Sequence, residues 1–441
     1  MSKTKKQISL RSAVGIGVGS MIGAGIFALM GQAGSIAGKA VYISFILGAL
    51  VALVSGYSIA RLGAKFPAAG GIVEYVVQSF GVNIFTGGVS IMLYISKIIA
   101  LALLSKAFGS YAAALMDMKD NILYVNLFSF SVLFGLGFIH YFGIKKVVKF
   151  ENASTLITVI VLLIFAVVGL LYMNPDLMAP NQYPAGDKIL FSIAITFFAF
   201  QGFSIIAHTA ENIPNPGKTL PKAIFISIAV TMVIYTSLAV AVFGNLGVNE
   251  VVKAKDYALA EAAQPVFGML GFTIISITAL FSTSSSINAV IYSAVNITYQ
   301  MAKNGELPGF FAKPLGNSRE GLLISLILTG ILILFLNLLQ IAAVGSITVL
   351  FIHAITHLGH LRVLKATKAS GFLVTTALIV TLGLTVMFLI YSSQESFTIL
   401  ILSLGIFAVS MLIEFLIRVI TSRKVEKHSK KKIDKGFFKT A

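Results

Sequence analysis

The stretch Gly15-Ile16-Gly17-Val18-Gly19-Ser20-Met21-Ile22-Gly23-Ala24-Gly25-Ile26-Phe27 packs glycine after glycine into an apolar run long enough to cross a bilayer. Glycine destabilises a helix interior by about 0.5–1 kcal/mol relative to alanine, so a helix that only has to span gains nothing from collecting them. Two readings compete. Small residues let helices approach closely. Alternatively, the helix breaks near Gly23–Gly25, and the freed N–H and C=O groups hold a polar ligand at mid-membrane depth. A second place of this kind is Phe197-Phe198-Ala199-Phe200-Gln201-Gly202-Phe203, where a glycine and an amide sit among aromatics inside another apolar run.

Working outward, apolar stretches of roughly 20 residues, the length of a membrane-spanning helix, recur about twelve times. They fall near 12–37, 41–63, 84–113, 122–142, 150–173, 189–208, 222–245, 266–300, 321–337, 340–361, 371–392 and 397–420. Most of the 33 Lys and Arg lie in the tails and the loops that share the N-terminal side, among them Arg11, Arg61, Lys65, Lys145, Lys218, Arg319, Arg362 and Lys365. The other side holds Lys39, Lys106, Lys119, Lys188, Lys253 and Lys255. Positive residues mark the cytoplasmic side, so both termini are expected there. The expected organisation is a tail over 1–11, a ten-helix core over 12–365, two further helices over 366–422 and a basic tail over 423–441. The segment 246–263 mixes Glu250, Lys253, Lys255, Asp256 and Glu261 with Ala and Val. It is expected to be a short amphipathic helix over the outer mouth.

Composition agrees with a lipid-facing surface. Hydrophobic residues make up 57% and charged residues 11%, against roughly 25% charged in soluble domains, and the mean hydropathy is +0.94. Cysteine is absent, which removes disulfides, thiolate catalysis and Cys-based metal centres. The net charge of +17 sits in loops and tails such as Lys430-Lys431-Lys432, which suits anionic lipid rather than nucleic acid. The first and sixth spans hold the same place in two consecutive blocks of five. Five is odd, so the second block is inverted, and breaks at matching positions of inverted repeats point to a transporter site. Half-helix N-termini there would suit a carboxylate.

Four motifs then carry a family resemblance. Gly23-Ala24-Gly25-Ile26-Phe27 resembles the G-x-G-I-F element of the amino acid–polyamine–organocation (APC) superfamily. Pro67-Ala68-Ala69-Gly70-Gly71 with Tyr75 resembles its P-x-x-G-G-x-Y loop. Glu211-Asn212-Ile213-Pro214-Asn215-Pro216 with Pro221-Lys222-Ala223-Ile224 resembles its loop after the sixth span. Gly305-Glu306-Leu307-Pro308 with Phe311 resembles its loop after the eighth. The chain resembles in particular the prokaryotic ApcT-type broad-specificity amino acid transporters. The resemblance implies an all-α membrane protein with the LeuT-like 5+5 inverted repeat and two additional C-terminal helices, 12 in all, with helices 1 and 6 discontinuous. It implies no enzyme but a secondary active transporter, taking up amino acids by alternating access. The substrate would be held by Ile22, Gly23, Ala24 and Gly25 facing Phe198, Ala199, Phe200 and Gly202.

Coupling departs from the resemblance. Aligning Gly143 and Glu151 places Thr158 where ApcT-type proteins carry a lysine that moves the proton. Sodium-coupled members of the fold use adjacent hydroxyls in the eighth span. Here these would be Ser285 and Ser286, with the carbonyls of Ser282, Gly19 and Ile22, an oxygen set suited to a hard cation. Lys97 lies mid-span, where a charge costs roughly 2.5–3.5 kcal/mol even on the mild scale, so a role as proton carrier or as partner of an anionic substrate is expected. Sodium, a proton and proton-independent exchange all stay open, as do the amino acid and the oligomeric state; no cofactor is expected beyond the candidate sodium. His353, His357 and His360 share one helix face and give a remote metalloenzyme alternative, with ordinary interfacial histidines as the simpler reading. A channel would need a symmetric filter loop, and none is visible.

Overall fold

The structure is a computed structural model. It describes residues 8–421 except 69, 120, 143–146, 181–182 and 304–306, and gives the backbone alone for residues 24, 147–153, 303, 395 and 421. Gly143, Lys145, Lys146, Gly305, Glu306 and the basic tail over 423–441 therefore lie outside the described residues, as do the side chains of Ala24 and Glu151.

In chain order the helices are α1 (Leu10–Ala37), α2 (Val41–Lys65), α3 (Ile72–Phe80), α4 (Ile84–Leu115), α5 (Ile122–Phe142), α6 (Val147–Leu171), α7 (Gly186–Ala199), α8 (Phe203–His208), α9 (Pro216–Asn245), α10 (Val248–Lys253) and α11 (Ala258–Lys303). A small antiparallel pair, β1 (Pro314–Leu315) and β2 (Ser318–Arg319), follows. Then come α12 (Glu320–Phe335), α13 (Leu338–Arg362), α14 (Leu364–Thr367), α15 (Gly371–Glu395) and α16 (Phe397–Thr421). Among the described residues, 10 segments are long and apolar enough to cross a membrane, while Leu10–Gly23 and Glu320–Phe335 are apolar but shorter.

The ends of these helices are written locally. Asn83 and Thr86 form a reciprocal capping box at the start of α4, and Asn337 and Gln340 do the same for α13, each satisfying N–H groups that a helix end leaves open. Pro216 occupies the first turn of α9, where its missing N–H costs nothing. Gly71 caps α3 with φ 53°, a left-handed conformation suited to glycine.

Burial sorts the helices into inner and outer. The most apolar windows of α4 and α13 are each 83% buried, whereas those of α5 and α16 are each 22% buried. α1 is enclosed by α7, α8, α9, α11 and α6. The segment after α9 behaves as expected in part. It forms the short α10, and beyond it Gln32 on α1 donates to Asp256 Oδ1 at 2.8 Å, pinning this connection to the first helix. Lys106, counted with the sparse positive side, is buried and donates to Asn126 Oδ1 at 2.7 Å.

One expectation fails. α1 is a single helix from Leu10 to Ala37, with no break at Gly23–Gly25. All of its glycines but Gly15 are packing positions instead. An added Cβ on Gly17 would lie 2.6 Å from Ser227 Oγ, and one on Gly19 would lie 2.7 Å from Thr155 Cγ2. One on Gly25 would lie 2.6 Å from the Ala199 carbonyl oxygen, and Gly31 abuts the Lys255 backbone. A helix with neighbours all round needs small residues all round.

Candidate functional site

The sixth span does change its hydrogen bonding in the middle. α7 ends at Ala199, and the amides of Phe200 and Gln201 bond to the carbonyls three residues back, Phe197 and Phe198, at 3.0 and 3.2 Å. Phe203, Ser204 and Ile205 continue the same i→i−3 pattern before α8 is established. The interruption at Phe200–Gly202 is thus a tight turn of 3₁₀ type, which poses side chains differently from an α-helix. It lies directly against α1: a Cβ on Gly202 would sit 2.6 Å from the Ser20 carbonyl carbon and 2.8 Å from Met21 Cγ. Tyr235 of α9 clamps the crossing, its hydroxyl donating to the Met21 carbonyl at 2.6 Å. The Tyr235 ring packs between Phe45 and Phe200.

Beside this crossing is a cavity of about 120 Å³, comparable to an apolar cavity of about 150 Å³ that takes up benzene. Phe198, Ala199 and Gly202 line it from the sixth span, Ser20 from α1, Ser96 and Lys97 from α4, and Val349 and His353 from α13. Gln201, Ser204 and His208 add polar groups. The Phe198 ring lies over Gly345, a glycine that keeps room for it. Among the described residues the Lys97 amine has no hydrogen bond or ion pair; the Glu414–Arg418 bridge lies elsewhere.

Of the expected substrate residues, Phe198, Ala199 and Gly202 reach the cavity and Lys97 joins them. Ile22 and Phe200 are buried in packing. Gly23 and Gly25 face other helices, because α1 stays wound and frees no amides. Ser20, Ser96, Gln201, Ser204 and His353 were not anticipated as lining residues. Gln201 carried the visible signal, a lone amide in an aromatic run.

Of the expected cation ligands, Ser282 and Ser286 lie beside α1 at Gly23. A Cβ on Gly23 would lie 2.5 Å from Ser286 Oγ and 3.9 Å from the Ser282 carbonyl oxygen, so α1 meets the hydroxyl-rich face of α11. Gly19 is turned toward Thr155 instead. Thr278 and Thr283 bond back to carbonyls four residues earlier, at 2.7 Å each. Ser282, Ser285 and Ser286 make no hydrogen bond among the described residues, and the Thr158 hydroxyl is buried without a partner.

The histidines of α13 are enclosed by protein. His353, His357 and His360 are buried, and every one of their ring nitrogens is engaged by a hydroxyl or amide: Ser55, Ser58, Thr367 and Gln201. No lone pair is left for a metal ion, which overturns the metalloenzyme alternative, and no metal-holding group of His, Asp and Glu is found among the described residues. Outside the spans, Tyr75 of the loop motif is buried without a hydrogen-bond partner. Burial, with Glu74 adjacent, pushes its phenol further up, so it stays neutral.

The comparisons with known proteins agree with this picture. A family model described as amino acid permease matches residues 8–439. An uncharacterized protein of Methanocaldococcus jannaschii is 34% identical over 96% of this chain and 98% of its own. The inner membrane transport protein YbaT of Escherichia coli is 31% identical over 78% of this chain and 81% of its own. The serine/threonine exchanger SteT of Bacillus subtilis is 28% identical over 71% of each. With its helices, its cavity and the match over nearly its whole length, the chain belongs to the amino acid permease family of the APC superfamily and is a membrane transporter, not an enzyme.

Proposed function

We propose that this protein is a secondary active amino acid transporter that works by alternating access and couples uptake to a cation. The observation that carries the reading is the small cavity where the turn at Phe200–Gly202 meets α1, lined by one aromatic gate, Phe198, and a few polar groups. Apolar walls with a few placed polar groups are what a small-molecule site needs. Here Ser20, Ser96 and Gln201 would orient the α-amino and α-carboxyl groups, while Phe198 would cover the side chain. The arrangement is read as a LeuT-like five-plus-five repeat followed by two helices, twelve spans with both termini cytoplasmic in a prokaryotic cytoplasmic membrane.

Two coupling ions have support. Sodium would be held by Ser282, Ser285 and Ser286 against α1, with oxygen ligands only. A proton would use Lys97. The similarity to a serine/threonine exchanger favours, as a second reading, exchange of one amino acid for another.

Counterflow in liposomes against a panel of amino acids, with and without sodium and at two pH values, tests the whole. Saturable counterflow by a subset of the panel is expected. Linear, unsaturable flux would contradict a carrier. In the same assay Lys97→Met is expected to remove the response of uptake to pH; an unchanged pH profile would leave Lys97 a structural residue.

A further inference from the structure

An unbroken chain of hydrogen bonds leaves the cavity along α13 and α2. Gln201 Oε1 and His353 Nε2 are 3.0 Å apart. His353 Nδ1 is 2.8 Å from Ser55 Oγ, which is 2.9 Å from His357 Nε2. His357 Nδ1 is 2.9 Å from Ser58 Oγ, which is 2.8 Å from His360 Nδ1. His360 Nε2 is 2.9 Å from Thr367 Oγ1, in α14. Gln201 and His353 line the cavity. Thr367 is itself buried, between the exposed residues Ala366 and Lys368, at the end that carries Arg61, Arg362 and Lys365.

Alternation is what makes this chain more than buried glue. A neutral imidazole has one N–H donor and one acceptor nitrogen, and a hydroxyl both donates and accepts. If every donor points toward the cavity, Thr367 O–H donates to His360 Nε2, His360 Nδ1–H to Ser58, and Ser58 O–H to His357 Nδ1. His357 Nε2–H then donates to Ser55, Ser55 O–H to His353 Nδ1, and His353 Nε2–H to Gln201 Oε1. If every donor points the other way, the Gln201 amide turned over, all members are again satisfied, and Thr367 donates to the Val363 and Leu364 carbonyls at 3.2 and 3.1 Å. Two complete polarities on one set of atoms are what stepwise proton hopping requires.

We propose that this chain carries protons between the cavity and the basic end of the molecule, so that the proton is the ion moving with the amino acid. The proposal rests on the transporter reading above. A proton bound by the Thr367 hydroxyl displaces that group's own proton onto His360 Nε2. His360 passes its Nδ1 proton to Ser58, Ser58 passes its proton to His357 Nδ1, and the shift repeats through Ser55 to His353. His353 gives up its Nε2 proton to the cavity. Each O–H or N–H bond broken is matched by one formed, and the chain is left in its opposite polarity. Turning it back takes rotation of the hydroxyls and return of each imidazole to its first tautomer, which keeps it from being an open leak. The amine of Lys97, unpartnered on the same cavity, can take the released proton when neutral.

The charges around the chain are few. Arg61 of α2 acts on His360, Lys97 and His208 face the cavity end, and Arg362 stacks on Phe80. Glu74 of α3 is bonded to Gln78, and Glu414 of α16 to Arg418. Among the described residues no carboxylate bonds a histidine of the chain, so none there acts as a fixed counter-ion that traps a proton on it.

The test uses the full-length protein in liposomes with a pH-sensitive dye inside and the standard amino acids as the external probe mixture. Counterflow of the same labelled mixture is read in parallel. Wild type is expected to acidify the lumen when amino acids are added. Ser58→Ala and His357→Gln are expected to keep counterflow but lose the acidification rate by at least about tenfold, the scale of removing a positioned proton-transfer group. Ser58→Thr, which restores the hydroxyl, is expected to recover it. Unchanged acidification in both variants overturns the proposal. So does wild-type counterflow without acidification, and so does parallel loss of both activities in the variants, Ser58→Thr included. Wild type without any counterflow is a distinct failure: it contradicts the transporter reading, and the proton route falls with it.

Discussion

α1 and the α7–α8 pair cross at one point, and glycine acts differently on the two sides. In α1 the helix stays continuous through Gly15, Gly17, Gly19, Gly23 and Gly25, and four of these five receive a neighbour where a Cβ would stand. Across from it, the chain tightens at Phe200–Gly202, and Gly202 lets the turn come against the Ser20–Met21 backbone. The break follows the helix that brings an amide, Gln201, to the cavity. The helix enclosed on every side stays whole. Glycine content alone therefore marks close approach, and the polar residue beside it marks the interruption.

The comparison can be broken most forcefully at Gly202. Gly202→Val puts branched carbon into main-chain atoms of α1 that cannot move aside. Overpacking of this kind costs about 1–3 kcal/mol, and counterflow is expected to be lost together with a lower melting temperature. Near-normal transport would mean that the turn does not touch α1. A smaller effect is expected at the clamp. Tyr235→Phe removes the bond to the Met21 carbonyl and keeps the ring, so thermal unfolding should report a loss of about 0.5–1.5 kcal/mol. No change would place the phenol outside the crossing. The smallest effect has the opposite sign. Gly15 is helical and exposed, with nothing within 4 Å of an added Cβ. Gly15→Ala should raise stability by about 0.5–1 kcal/mol, and destabilisation would argue that α1 needs its glycine there for flexibility.

Much of the fold was legible because hydropathy and capping are local. The ends of α2, α4, α5 and α15 fall close to the apolar runs, and the short helix after α9 was visible in its mixed charges. The break in α1 was misread, since a glycine that packs and a glycine that unwinds look alike in one dimension. Phe198 and Ala199 were named from the family resemblance and Lys97 from its charge inside a span, and all three line the cavity. Ser20, Ser96 and Ser204 were not named, because a serine in an apolar helix shows no sign of which face it takes. His353, His357 and His360 showed their spacing but not their partners, as Ser55 and Ser58 lie about 300 positions away in the chain.

The central claim is that the cavity at this crossing receives the amino acid. The chain has no cysteine, so Ser20→Cys and Ser204→Cys each place a single thiol on the cavity wall and Gly15→Cys places one outside it. Labelling rates with a small, membrane-permeant thiol reagent should fall for both cavity positions, and not for the control, when a counterflow-competent amino acid is present at saturation. Labelling at Ser20→Cys and Ser204→Cys that is indifferent to such an amino acid would contradict the account.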